Sequence, residues 1–219
     1  MCRERLERDG YAVLSDVITR SELPALSAAY DREMSRCDPA DRRVGSTTTR
    51  VRDFVNRGPE FDSLYLYGPL LEACHVVIGQ PFRLSTLHAR TLRPNTTAQQ
   101  LHVDFPCDER GWPMVGFIYM IDEFRPDNGA TCFVPGSQGM TAEPPRSQLI
   151  PASGPAGSVV IFNGSVWHGH GANRTERPRR SIQGAFIRRE EPSGEDLKAR
   201  MREETLRRIG PLARQLLDL

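Results

Sequence analysis

Apolar side chains recur along this chain with two different periods, and the point where one gives way to the other divides it. Leu23, Leu26, Ala29, Tyr30 and Met34 keep helical spacing, with Pro24 where a first turn tolerates it and Thr19 with Glu22 forming a capping box. This pattern predicts a helix over about 20–36. Leu64, Leu66, Leu70, Leu71, Cys74, Val77 and Ile78 predict a second helix over 64–78, closed by Gly79 and Pro81. From Phe82 onward the texture changes to short β-prone runs between Gly, Pro and Asn clusters. The runs are 83–93, 98–104, 115–122, 130–134, 147–151, 157–163, 165–171 and 179–188. Eight such strands with turn signals between them suit a mainly β protein with flanking helices, a double-stranded β-helix or jelly roll. The tail from Ser193, with Leu197, Met201, Leu206, Ile209 and Leu212 among alternating charges, reads as a helix on the outside of the sheets. The expected organisation is one domain over 1–219, with a mainly helical flank at 1–80, a jelly-roll core at 82–188 and a C-terminal helix at 193–217.

Composition narrows the partners. A folded chain of 219 residues buries roughly 70% of the surface its unfolded form exposes, so any metal serves chemistry rather than stability. With 29 basic against 28 acidic side chains the net charge is +1, which argues against nucleic acid as a partner. Cys2, Cys37, Cys74, Cys107 and Cys132 are odd in number and form no CxxC pair, which suits a reducing cytoplasm better than a secreted disulfide framework. Residues 1–8 are charged where a signal peptide would be apolar, and the longest apolar run, 115–121, is far short of a membrane span. A cytoplasmic location without a membrane partner is the expectation; oligomeric state is not readable from the chain.

The histidines point to chemistry. His102 and Asp104 are separated by one residue, so a strand presents both on one face, and His168 lies in a distant predicted strand. Two imidazoles and a carboxylate are the set for a facial triad on iron(II), which leaves three coordination positions open. A structural zinc site would take four ligands and usually more cysteine. The alternative for His102 and Asp104 is a hydrogen-bonded pair on a half-buried strand. His170 shares a face with His168, and either could be the second imidazole. Farther on, Arg179, Ser181 and Gln183 share a strand face; a guanidinium fork beside a hydroxyl suits the distal carboxylate of a 2-oxo-diacid. A structural salt bridge is the other reading of Arg179. His88 and Arg90 alternate on an early strand and either line the same cavity or face solvent. Phe105 and Trp112 belong to a loop that would rim the cavity mouth and touch substrate. Arg42, Arg43, Arg50, Arg52 and Arg57 read as a mobile lid for an anionic substrate or as a solvated surface. His75, on the second helix, reads as an ordinary histidine.

Taken in order, four motifs covering most of the chain carry a family resemblance. They are Asp9-Gly10-Tyr11-Ala12-Val13-Leu14, Leu101-His102-Val103-Asp104, the stretch from Asp127-Asn128-Gly129 through Pro135-Gly136-Ser137-Gln138, and Trp167-His168-Gly169-His170 leading to Arg179-Arg180-Ser181. Together they resemble the phytanoyl-CoA dioxygenase-like branch of the iron(II)- and 2-oxoglutarate-dependent oxygenases. The resemblance implies a cupin-like jelly roll in which His102, Asp104 and His168 bind Fe(II) and Arg179 binds the 5-carboxylate of 2-oxoglutarate. Spacing to Arg179 matches the family from His168 and not from His170, which leaves His170, where relatives often have serine, as a co-substrate contact or a support for one. Thr131, in a turn that otherwise reads as structural, is a further candidate co-substrate contact, and by resemblance so is a polar residue on the strand of His88. The implied reaction uses O2 to hydroxylate an unactivated C–H bond of a small molecule, with natural-product tailoring as the guess and a CoA-linked or carrier-bound acyl group as another source. Succinate and CO2 are released, and Asp104 fills the place that related halogenases leave for chloride. The rival expectation is a non-catalytic or non-oxidative cupin-like protein that binds a metal or small molecule.

Overall fold

Strands whose side chains alternate between two apolar environments build the centre of this protein. In chain order the elements are α1 (Cys2–Asp9), β1 (Tyr11–Leu14), α2 (Leu23–Arg36), β2 (Arg42–Val44), β3 (Thr48–Val51), α3 (Asp62–Tyr65), α4 (Gly68–Val77), β4 (Phe82–Leu92), β5 (Met114–Met120), β6 (Thr131–Phe133), β7 (Ile150–Pro151), β8 (Val159–Asn163), β9 (His168–His170), β10 (Arg179–Arg188), α5 (Glu203–Arg208) and α6 (Pro211–Leu216). The structure, a computed structural model, is described over residues 2–219. A seven-stranded antiparallel sheet in the order β1-β8-β5-β10-β4-β3-β2 pairs with a smaller one in the order β7-β6-β9. Along β5, Phe117 and Tyr119 join the helices in one core, while Ile118 and Met120 join Phe133, Val160 and Phe162 in a second core between the sheets. Burial on both faces explains why Val159-Val160-Ile161-Phe162 reads as an unbroken apolar run. The jelly-roll expectation holds.

Several boundaries and assignments differ from expectation, each for a local reason. The capping box forms: the backbone amide of Thr19 donates to Glu22 and that of Glu22 donates to the Thr19 hydroxyl, yet α2 itself begins one turn later at Leu23. The second helix is two, because Tyr67 is extended and Pro69, which lacks an amide hydrogen, fits only in a first turn. Residues 98–104 form no strand; they make a single bridge between His102 and His168. The strand expected over 147–151 shrinks to Ile150–Pro151 behind a helical turn at Arg146–Gln148. The flank at 1–80 is not only helical, since it donates β1, β2 and β3 to the large sheet. In particular, the arginine-rich segment is no free lid. Its β2–β3 hairpin pairs with β4 from Thr48↔Leu92 to Val51↔Ala89, and Arg52 and Arg57 both bond the buried Asp41. The tail is two short helices parted at Gly210 and Pro211 rather than one, although Leu197, Ile209, Leu216 and Leu217 are buried as an outer helix would require. No helix among the described residues is long and apolar enough to cross a membrane.

Candidate active site

The inner face of the large sheet is set by its register. Arg179, Ser181 and Gln183 on β10 stand opposite Leu92, Arg90 and His88 on β4, and Ser181 and Gln183 stand opposite Met120 and Ile118 on β5. Arg90 and Arg179 therefore share one face, as alternation predicts. The facing wall comes from β6 and β9, where Thr131 pairs with His170 and Phe133 with His168.

His102, Asp104 and His168 converge although the first two lie outside any strand. The amide of His102 donates to the carbonyl of His168 and the amide of His168 returns the bond, both at 3.0 Å, while Asp104 donates its amide to the Gly164 carbonyl at 2.9 Å. This pairing lays the 102–104 segment along the chain leading into β9, so both imidazoles face one carboxylate. The two histidine Nε2 atoms each lie 3.5 Å from a different oxygen of Asp104. One donor atom from each residue lies within 4.8 Å of the others. Each Nδ1 faces a backbone carbonyl, Gln100 at 3.1 Å for His102 and Val166 at 2.9 Å for His168. Those carbonyls hold the proton on Nδ1 and leave an Nε2 lone pair aimed inward, as a metal ligand requires. Phe133 stacks on His168 and Phe162 tilts against it, fixing the ring.

Electrostatics separates the two imidazoles. The hydrogen bond with Asp104 raises His102 above the ordinary histidine range, whereas burial lowers His168. Burial works against ionisation of Asp104, but the His102 hydrogen bond and the nearby positive charge outweigh it and hold the group below its usual value. His170 differs: its Nδ1 faces the Gly171 carbonyl at 2.9 Å and its Nε2 faces the Thr47 hydroxyl at 3.1 Å, so neither nitrogen is free for an ion. Burial drives its pKa down to about 4, leaving it neutral.

A cavity of about 330 Å³ opens beside the triad. His88, Arg90, Phe105, Thr131 and His170 line it. Trp112 does not; it packs half-buried against the helical core, because the 106–113 loop folds back instead of rimming the mouth. Nor do Ser181 and Arg179 reach the cavity wall. The Ser181 hydroxyl is spent on the Arg90 carbonyl at 3.2 Å. Arg179 is fully buried, its guanidinium lies 4.0 Å over the Phe124 ring, and its Nε, Nη1 and Nη2 have no hydrogen-bond partner. His75 is exposed with its ring edge-on to Phe82 on the far side of the sheet. Sequence reading passed over Gln99, which lines the cavity and accepts from Arg90 at 3.3 Å, and Thr47, which reaches His170 from the hairpin. Thr47 lies outside every predicted run, and Gln99, although inside the 98–104 run, carries no motif, so only tertiary contact exposes them.

The sequence model of phytanoyl-CoA dioxygenase (PhyH) matches residues 6–181, a stretch that includes every side chain of this cluster. The chain belongs to the phytanoyl-CoA dioxygenase family. Dioxygenase trt7 of Aspergillus terreus is 28% identical to this family member over 207 residues, 84% of this chain and 71% of that one. In fold it resembles the epimerase SnoN, solved with Fe3+, alpha-ketoglutarate and nogalamycin RO, at a TM-score of 0.72 and 20% identity, over 89% of this chain and 86% of SnoN. HygX of Streptomyces hygroscopicus, solved with nickel and 2-oxoglutarate, matches at 0.68 and 20% identity over 85% of this chain and 87% of its own. At those identities the two structures speak to the fold of the PhyH chain alone.

Proposed function

We propose that this dioxygenase-family protein is an iron(II)- and 2-oxoglutarate-dependent hydroxylase of a small molecule. The observation that carries the reading is the convergence of three donor atoms within 4.8 Å, with each imidazole Nδ1 facing a backbone carbonyl that favours the ligating tautomer. His102, Asp104 and His168 would hold one ion between them, since each imidazole Nε2 already lies 3.5 Å from the carboxylate and the donor set lies within 4.8 Å. Asp104 supplies the negative charge, and its depressed pKa keeps it ionised at neutral pH. The set leaves one side open, which suits iron(II) chemistry better than a closed structural site.

Arg179 is the assigned clamp for the distal carboxylate of 2-oxoglutarate. A buried guanidinium with all its nitrogens unpartnered fits a bidentate anion, and the salt bridge that would explain it otherwise is missing among the described residues. His88, Thr131 and the neutral His170 border the cavity beside the triad and orient the co-substrate, whose distal carboxylate would have to reach Arg179 behind that wall; Phe133 and Phe162 keep water from the His168 side. With 2-oxoglutarate and O2, bound iron(II) supplies an oxidant able to take hydrogen from an unactivated C–H bond, releasing succinate and CO2. SnoN is an epimerase, so the assignment of hydroxylation is tested on the product.

The deciding measurement is succinate formed from 2-oxoglutarate by the iron-supplemented protein, in air and under argon. Succinate in air only, with a one-oxygen mass gain in an accepted substrate, is the expected result. Asp104→Ala should lower both succinate yield and iron(II) affinity by about a hundredfold or more, as removal of a ligand implies. Oxygen-independent turnover, or wild-type turnover by Asp104→Ala, would overturn the reading.

A further inference from the structure

The cavity wall carries more positive charge than one co-substrate requires. Arg50 on β3 stands directly opposite Arg90 on β4 in the antiparallel register, on the inner face of the sheet. Like charges in directly opposed positions weaken a strand pair. Several other arginines are neutralised: Arg52 and Arg57 share Asp41, Arg188 bonds Asp108, and Arg180 bonds Asp31 and Asp122. The opposed pair has no such relief. Arg90 reaches only the side-chain amide oxygens of Gln99 and Gln183, both at 3.3 Å, and its Nε is buried without a partner. The Arg50 side chain makes no hydrogen bond or ion pair among the described residues.

Both side chains face open space. Arg50, Arg90 and Gln99 line the main cavity and also a neighbouring recess of about 270 Å³ under the β2–β3 hairpin, where Arg43 joins them. Asp104 is the one carboxylate on the walls of these two cavities among the described residues, and it already faces two imidazoles. Burial lowers the pKa of Arg90 to about 9, with the charges of Arg50 and Arg179 adding to the effect, and burial lowers Arg50 as well. For Arg90 the neighbouring cations add to burial, for Arg50 burial dominates with Asp104 opposing it and Arg43 adding to it, and an anion set between the two guanidiniums would favour both charged forms.

We propose that Arg50 and Arg90 form a second anion site that holds a carboxylate or phosphate group of the prime substrate. The inference rests on the functional reading above, in which the metal and Arg179 use both carboxylates of 2-oxoglutarate and leave this pair to a different molecule. The substrate class is then a small organic anion, its charged end gripped by two guanidinium forks and its carbon frame set against Phe105, Ile118 and Ile187 of the cavity wall.

The test is calorimetric titration of Mn(II)-loaded protein, saturated with 2-oxoglutarate, with phenylacetate, phenyl phosphate and the neutral phenylacetamide. At least one anion should bind about tenfold more tightly than the amide, and the better of the two names the group as carboxylate or phosphate. Arg50→Gln should weaken that anion about tenfold while shifting 2-oxoglutarate affinity by less than about threefold; Arg179→Met should do the reverse. Arg50→Gln also removes a repulsion, so its melting temperature should not fall, and Arg50→Lys, which keeps the charge without the fork, should bind the anion at an intermediate level. Anions that bind no better than the amide overturn the proposal. So does loss of anion binding when 2-oxoglutarate is saturating, with Arg50→Gln weakening both ligands alike. Should wild-type protein not bind 2-oxoglutarate at all, the oxygenase reading falls, and the same titration without it still decides the anion site.

Discussion

Arg179 and Arg180 are adjacent, and strand alternation sends them to opposite sides of the sheet. Arg180 points outward to Asp122 and Asp31, each at 2.7 Å, while Arg179 points inward to an aromatic ring and no acceptor. An unpaired buried cation opposes folding, and its pKa, pushed down to about 10 by burial, records that strain. Arg179→Met should therefore act in two directions. Affinity for 2-oxoglutarate, measured on Mn(II)-loaded protein, should fall about a hundredfold or more, as loss of a buried charge-assisted pair implies. The melting temperature without ligand should rise by about 2–4 °C, corresponding to about 1 kcal/mol in a chain of this size. A lower melting temperature would make Arg179 a structural residue and remove it from the clamp. Sequence alternation could assign the shared face of Arg179, Ser181 and Gln183, but not that Ser181 is consumed by the Arg90 carbonyl.

Among the strands, β5 and β8 carry the wall behind the triad, and their close approach depends on a missing side chain. Gly116 sits opposite Phe162, and a Cβ at that position would meet the Phe162 ring at 2.2 Å. Gly116→Ala should cost about 1–3 kcal/mol by overpacking, visible as a lower urea midpoint at unchanged m-value. Because Phe162 packs on His168, metal affinity should fall in the same variant; a midpoint equal to wild type would place the ring elsewhere. The 98–104 segment teaches a different lesson. The alternation rule put His102 and Asp104 on one face, and they do converge, yet the cause is not a strand. Two backbone bonds to His168 and one to Gly164 place them. Trp112 shows the converse: an aromatic in a polar loop reads as a rim, while the loop's return toward the helical core is a contact between remote segments that periodicity does not encode.

Across the molecule, the C-terminal segment ties the flanking helices to the hairpin. Arg208 bonds Asp62, Arg200 bonds Asp41, and Glu195 lies near Asp53 with one carboxylate oxygen buried and unpartnered. Burial, then the charge of Asp53, raises the Glu195 pKa to about 7. A carboxyl with a raised folded pKa binds more protons folded than unfolded, so this group's contribution to stability falls as pH rises from about 4.5 to about 7 and stays low above that. Glu195→Gln should accordingly raise the melting temperature at pH 8 and leave it nearly unchanged at pH 4, a pattern that scanning calorimetry at the two pH values checks. Equal shifts at both would exclude a protonation origin. The jelly-roll class, the triad and the inward arginine were legible in the chain because each depends on short-range order: a period of two, a His-x-Asp spacing, a guanidinium on an apolar strand. The preference for His168 over His170 already followed from its spacing to Arg179; the hairpin's place on the sheet edge, the Thr47 hydroxyl that occupies the His170 Nε2, and the opposition of Arg50 and Arg90 come from residues 40 to 120 positions apart brought into register. Such pairings are settled by burial and hydrogen bonding of the whole chain at once, and local pattern carries no trace of them.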